Sequence, residues 1–459
     1  MTEQNNPLAD LAAFIVSIRR DTLPGEVKNE AMACTLDTIG ASIGSLEYEE
    51  VPDIIKTFLE YSGSYDGTDK RACIWGTDNF TSVFQAALLN GTMGHALELD
   101  DVHTGSKTHI GAACIPAIWG VAEAVNATGA EVVEAVVAAY ETMARIGKGF
   151  GVAEHRLRGW HVSGTAGTFG AAAGAAKLLG LDAAKTLDAL GMAGTQSSGL
   201  WAFLEAGSTS KKMHTGRAAE NGVVAAFLAK AGMTGPGTIL DAEDGGLYRA
   251  TSGSYDLSEV NRDLGSQWEI LNVDRKPYAC CRSMHPALDA ILAVRSEKKT
   301  APGKIRRIAI KSYEVGVKQC GVIKYPVNVS EAKFSMRFGV AAAYIDGEAV
   351  QKQFSRERIA DPAVRELAAK IDYRADEEYT GRYPQSWGCG MVVEFADGTV
   401  IEKNILDASG SVASPMTPAQ MDAKFMGLAS PFLGGKTRAC LDDLKKLDTL
   451  TSVRGLLQP

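Results

Sequence analysis

The sequence predicts a mostly α protein: a large all-helical domain into which a smaller α+β domain is inserted. Three observations carry that expectation. Up to about residue 268, Ala, Gly and Leu recur at helical spacing with little alternation of the strand type. After Asn272 the texture changes to alternating apolar and charged residues, and from about Thr417 the helical pattern returns. The expected segments are residues 1–269 for the first part of the helical domain, 270–405 for the α+β domain and 406–459 for the helical return.

The elements follow in order. Val132 to Ile146 places Val133, Val136, Val137, Tyr140, Met143 and Ala144 on one helical face and Glu134, Glu141 and Arg145 on the other, with Gly147 and Gly149 as the expected stop. Gly167 to Leu179 carries Ala and Gly three and four apart, so it reads as a buried central helix that lets neighbouring backbones approach. Ala218 to Ala231 and Ala287 to Val294 are further helices, the second with Pro286 suited to its first turn. Ile305 to Tyr313 alternates as a strand, and Met391 to Phe395 and Val400 to Ile401 flank the hairpin turn Ala396-Asp397-Gly398-Thr399.

Length and composition bound the function. The 459 residues, 46% hydrophobic and 22% charged, suffice for two or three domains held by apolar burial, which excludes disorder and a disulfide-stapled miniprotein. A net charge of −8 without a basic tail makes nucleic acid an unexpected partner. The eight cysteines, at 34, 73, 114, 280, 281, 320, 389 and 440, form no CxxC pair and read as reduced thiols. Met1-Thr2-Glu3-Gln4-Asn5-Asn6 lacks a targeting pattern, and no apolar run suits a membrane, so the expected location is the cytoplasm.

The chemistry-bearing residues gather in four places. His95, His103 and His109 fall within fifteen residues that also hold Glu98, Asp100 and Asp101. Imidazoles kept near a working pKa by carboxylates suit acid–base catalysis. The alternatives are a metal site, disfavoured by the lack of HExxH and by the six-residue step from His103 to His109, and a helix cap made by Asp100 or Asp101. His161, in Gly159-Trp160-His161, stands before the Ala/Gly helix, where a terminus attracts carboxylates, although a capping or core histidine has the same appearance. Ser210 to Arg217 concentrates cations just before the helix Ala218 to Ala231, although a solvated loop has the same appearance. Arg275-Lys276-Pro277-Tyr278-Ala279-Cys280-Cys281-Arg282-Ser283-Met284-His285-Pro286 puts cations and a histidine at the domain junction, where ligand sites are favoured. Gly435-Lys436-Thr437 lacks the earlier glycine of a phosphate loop, having Ser430 there, and no dinucleotide loop or nucleophile elbow is present. A thiolate nucleophile at Cys280 or Cys281 is a lesser option.

These four segments, in this order, resemble the MmgE/PrpD family. His95-Ala96-Leu97-Glu98-Leu99-Asp100-Asp101 with His109 is similar to its His-Ala-Leu-Asp-Phe-Asp-Asp block; Gly159-Trp160-His161, Lys211 with Gly216-Arg217-Ala218-Ala219, and Lys276-Pro277-Tyr278 with His285-Pro286 are similar to its later blocks. Glu98 departs from the usual Asp, one residue is added between Asp101 and His109, and Ala279-Cys280 replaces Pro plus a small residue.

The resemblance covers about residues 10 to 450. It implies a helical domain, an α+β lid over 270–405, a homodimer, and a site without metal or organic cofactor. It also implies a lyase, a dehydratase or decarboxylase, acting on a citrate- or aconitate-like polycarboxylate. Epimerisation of an iminodisuccinate-like dicarboxylate, or binding of a polycarboxylate without chemistry, is the alternative. Catalytic roles fall on His109, His161, Lys211 and Asp100, and substrate binding on Arg275, Lys276, His285 and His103.

Overall fold

The computed structural model describes residues 6–48, 50–62, 71–383 and 385–459; Met1 to Asn5, on which the reading of the N-terminus rests, lie outside them. The chain divides into two units: Met1–Phe203 with Ser210–Val273 and Thr417–Pro459, and Leu204–Thr209 with Asp274–Met416. The architecture is mostly α with a smaller α+β part, as the texture of the sequence predicts.

The first unit is built around the helices Val83–Ala96, Ile110–Val125, Gly129–Gly149, Val162–Leu178 and Lys211–Lys230. Ile110–Val125 and Val162–Leu178 are apolar or small-sided nearly all round, so they have no face to offer water and are buried between the others. Small residues set the spacing. A Cβ on Gly216 would lie 2.3 Å from Thr92 Oγ1 and 2.4 Å from Leu88 O, so the helix bearing Lys211 meets the helix bearing His95 backbone to backbone. Ends are capped: Ser82 accepts from the Gln85 amide, and Thr128 and Glu131 form a capping box.

Several details differ from the sequence reading. Gly147 lies inside the helix, which stops at Gly149 as expected; a Cβ at Gly147 would sit 2.7 Å from Ser106 Cβ, so close packing explains the residue. Glu141 and Arg145 are buried, paired at 3.1 Å, with Glu141 also accepting from the Ile270 amide at 3.0 Å. The helix expected from Ala218 already begins at Lys211, so the cation-rich stretch forms its first two turns. The first unit also holds a short antiparallel pair, Arg71–Cys73 with Phe80–Ser82.

In the second unit a four-stranded sheet runs in the order Ile371–Ala375, Ile305–Ser312, Cys389–Phe395, Val400–Ile405. The first pair is parallel and the other two are antiparallel. Alternation is visible where Cys389, Met391, Val393 and Phe395 are buried. The hairpin turn has Gly398 at φ 86°, the left-handed region that glycine enters at little cost. The helices His285–Glu297 and Met336–Asp346 pack together, the former against the sheet. All eight cysteines are unbridged, and among the described residues no helix is long and apolar enough to cross a membrane.

Candidate active site

The end of the Val83–Ala96 helix creates the first half of the site. His95 lies in its last turn, and two residues beyond its end Glu98 takes φ 54°, a left-handed conformation that costs a side-chain-bearing residue free energy and here turns the chain sharply. That turn delivers Asp100, fully buried, to a point where its Oδ2 lies 2.7 Å from His95 Nδ1 and 3.0 Å from His109 Nδ1. One carboxylate oxygen thus holds two imidazoles. The Asp101 side chain faces elsewhere, accepting from the Gly111 amide at 2.9 Å and from Tyr140 Oη at 2.5 Å at the start of the Ile110–Val125 helix, while its backbone carbonyl lies 3.0 Å from His109 Nδ1. Burial pushes the Asp101 carboxyl up to about 7, against the two donors that favour its charged form.

His161 enters from the N-cap position of the Val162–Leu178 helix. Its ring centroid is 6.2 Å from that of His95 and 6.4 Å from that of His109, and those two are 4.4 Å apart. One ring nitrogen from each of His95, His109 and His161 lies within 4.8 Å of the others, so these three residues also have the donors for a metal ion. His161 Nδ1 is 3.0 Å from His214 Nδ1, where one ring donates and the other accepts. Trp201 and Phe203 cover the outer side of His161 at 5.5 and 6.1 Å.

Burial is the dominant electrostatic effect. It holds the His161 imidazolium well below the ordinary histidine range, and Lys211, His214, His95 and His109 push the same way. His214 is pushed down to about 4 by burial and then by Lys211. His95 is lowered by burial in spite of Asp100. Near neutral pH, His95, His161 and His214 are therefore neutral and able to accept a proton.

Lys211 completes the group. It begins the Lys211–Lys230 helix, is 5% exposed, and donates to Glu98 Oε1 at 2.5 Å; Glu98, also 5% exposed, lies 3.9 Å from His95 Nε2. The adjacent Lys212 stacks its ammonium 3.5 Å over the Tyr48 ring, and burial lowers it to about 8.

The structure therefore brings Asp100, His109, His161 and Lys211 together in the first unit and adds His95, Glu98 and His214. His95 and Glu98 belong to the sequence block already singled out, and His214 stands one helical turn after Lys211, a spacing that puts both on one face. His103 does not join them. Its Nδ1 accepts from the Ser106 amide at 3.1 Å, and its Nε2 donates to Glu269 at 3.1 Å. Burial opposes ionisation of Glu269, yet His103 and Lys148 together hold its carboxyl down at about 2. Arg275, Lys276 and His285 belong to the second unit: Lys276 is fully buried, Arg275 donates its amide to Gly410 O at 2.8 Å, and His285 Nε2 is 3.3 Å from Cys280 O.

The His161–His214 contact yields a prediction. In His214→Asn, one influence that lowers His161 is removed, so the acid limb of kcat/KM shifts to higher pH and kcat falls more than KM changes. A profile from pH 4.5 to 8.5 checks this; an unmoved acid limb would mean that His214 only fills space.

Comparison with known proteins agrees along nearly the whole chain. Residues 9–260 match the MmgE/PrpD N-terminal domain and residues 278–447 the MmgE/PrpD C-terminal domain. Cis-aconitate decarboxylase of Aspergillus terreus is 28% identical over 477 residues, covering 98% of this chain and 95% of that protein. Cis-aconitate decarboxylase of Homo sapiens is 26% identical over 461 residues, covering 96% and 93%. A probable 2-methylcitrate dehydratase of Saccharomyces cerevisiae is 22% identical over 399 residues, covering 81% and 75%. With both domains matched in order, and with the buried histidine, aspartate and lysine group assembled from the blocks that suggested it, the chain belongs to the MmgE/PrpD family.

Proposed function

We propose that this protein is a lyase that acts, without metal or organic cofactor, on a carbon next to a carboxylate of a citrate- or aconitate-like substrate. The observation that carries the reading is the buried convergence of neutral imidazoles at His161 and His95 with the ammonium of Lys211. The family relatives named as decarboxylases and dehydratase support the substrate class.

The chemistry follows from the groups present. In decarboxylation the electron pair of the breaking carbon–carbon bond stays on the substrate as carbon dioxide leaves, and a histidine that has taken up a proton from solvent delivers it to the resulting carbanion. In dehydration a neutral imidazole removes the proton beside the carboxylate, and a second group protonates the departing hydroxyl so that it leaves as water. His109 and His161 share these two roles, with Asp100 orienting His109. Lys211 stabilises the negative charge that develops in either case, an effect strongest in a site shielded from water. In this reading a substrate carboxylate takes Lys211 over from Glu98. Arg275, Lys276 and His285 supply further substrate contacts, residues 270–405 act as a lid, and the enzyme is a cytoplasmic homodimer.

Incubation with cis-aconitate, 2-methylcitrate and iminodisuccinate, followed by proton NMR in deuterium oxide, tests the proposal. Net conversion of a tricarboxylate supports it. Deuterium entering iminodisuccinate without net conversion would replace it with epimerisation, and binding without exchange or conversion would replace it with a non-catalytic carboxylate binder.

A further inference from the structure

We propose that the imidazoles of His95, His109 and His161 form a binding site for a divalent transition-metal ion of the zinc type, and that an ion held there switches the acid–base site off. The geometry is the first argument. One ring nitrogen from each of the three residues lies within 4.8 Å of the others. Tetrahedral coordination at Zn–N distances of about 2.0–2.1 Å needs neighbouring nitrogens about 3.3 Å apart, so ring shifts on the order of 1 Å close the site.

The outer contacts are the second argument. Metal-binding imidazoles are oriented by a carboxylate or other acceptor on the second ring nitrogen. Here Asp100 Oδ2 touches both His95 and His109, at 2.7 and 3.0 Å, and His214 touches His161 at 3.0 Å. The third argument is an unsatisfied atom: His95 is fully buried, and its Nε2 has no hydrogen-bond partner. A buried polar atom left in this state costs free energy that a bound ion would recover. Its nearest carboxylate, Glu98 at 3.9 Å, is a candidate fourth ligand if Lys211 releases it.

Occupancy inhibits because coordination uses the same nitrogen lone pairs that accept protons. This second half rests on the proposed function; the binding half does not. The test is titration of chelator-treated, dialysed full-length protein with Co²⁺, read by its visible ligand-field absorption, followed by displacement with Zn²⁺. The expected result is a four-coordinate spectrum with an end point of one ion per chain. It is lost in His95→Gln and in His109→Gln, retained in His155→Gln, and about 10–100-fold weaker in affinity in Asp100→Asn.

No saturable spectrum in the wild-type protein, or one that survives both ligand substitutions, overturns the site. Because the wild-type titration stands alone, a variant that does not fold leaves the proposal falsifiable. Turnover that falls as Zn²⁺ fills the site and returns with chelator supports the switch, and turnover unchanged or raised by a filled site overturns it. Failure of Co²⁺ binding leaves the lyase reading intact. An inert substrate panel with intact Co²⁺ binding leaves the metal site intact.

Discussion

Replacing His161 by alanine is expected to lower turnover at least about a hundredfold, the lower end of what a positioned acid or base contributes. Substrate affinity should change far less. The size of the effect follows from placement: His161 is buried, held on one side by His214 and backed by Trp201, so no water reaches the same point with the same orientation. The loss is read by steady-state kinetics on folded protein, with circular dichroism confirming the helices. Near-full activity would remove His161 from the mechanism.

Lys211→Ala is the second large effect, and it has two separable parts. Turnover should fall at least about a hundredfold through lost stabilisation of developing negative charge. Stability should fall as well, because Glu98 remains buried beside His95 without its ammonium partner; breaking a buried pair in this way typically costs about 3–5 kcal/mol. The double variant Glu98→Gln with Lys211→Met removes both charges from the interior. It should recover most of the thermal stability of the parent while staying inactive. Recovery of activity along with stability would show that Lys211 serves only to neutralise Glu98.

These effects indicate which parts of the molecule can be read from the chain alone. The periodicity of Ala, Gly and Leu, and the alternation around Ile305 and Met391, follow from which faces must leave water, and both survive into the fold. The clustering of histidines and carboxylates between 95 and 109 is likewise visible as text. Its directions are not. That Asp100 bridges His95 and His109, that Asp101 caps a helix, and that His103 turns to Ser106 and Glu269 go with two left-handed residues, Glu98 two positions past a helix end and Lys107 in the turn between His103 and Thr108.

Lys211 illustrates the opposite limit. A run of cations reads as solvated loop because isolated charges avoid the interior. Here Lys211 opens a helix and is buried, because its charge meets a carboxylate 113 positions away in the chain. Glu141 and Arg145 behave in the same way: the periodicity puts them opposite the apolar face, and each satisfies the other in the interior.

The central claim is that this buried group moves protons at a carbon beside a carboxylate. Deuterium transfer from solvent into the tricarboxylate that turns over, measured by proton NMR for wild type and His161→Ala side by side, tests it most directly. The account predicts stereospecific incorporation at a single carbon in the wild type and a rate at least about a hundredfold lower in the variant. Equal incorporation rates in both proteins would contradict it.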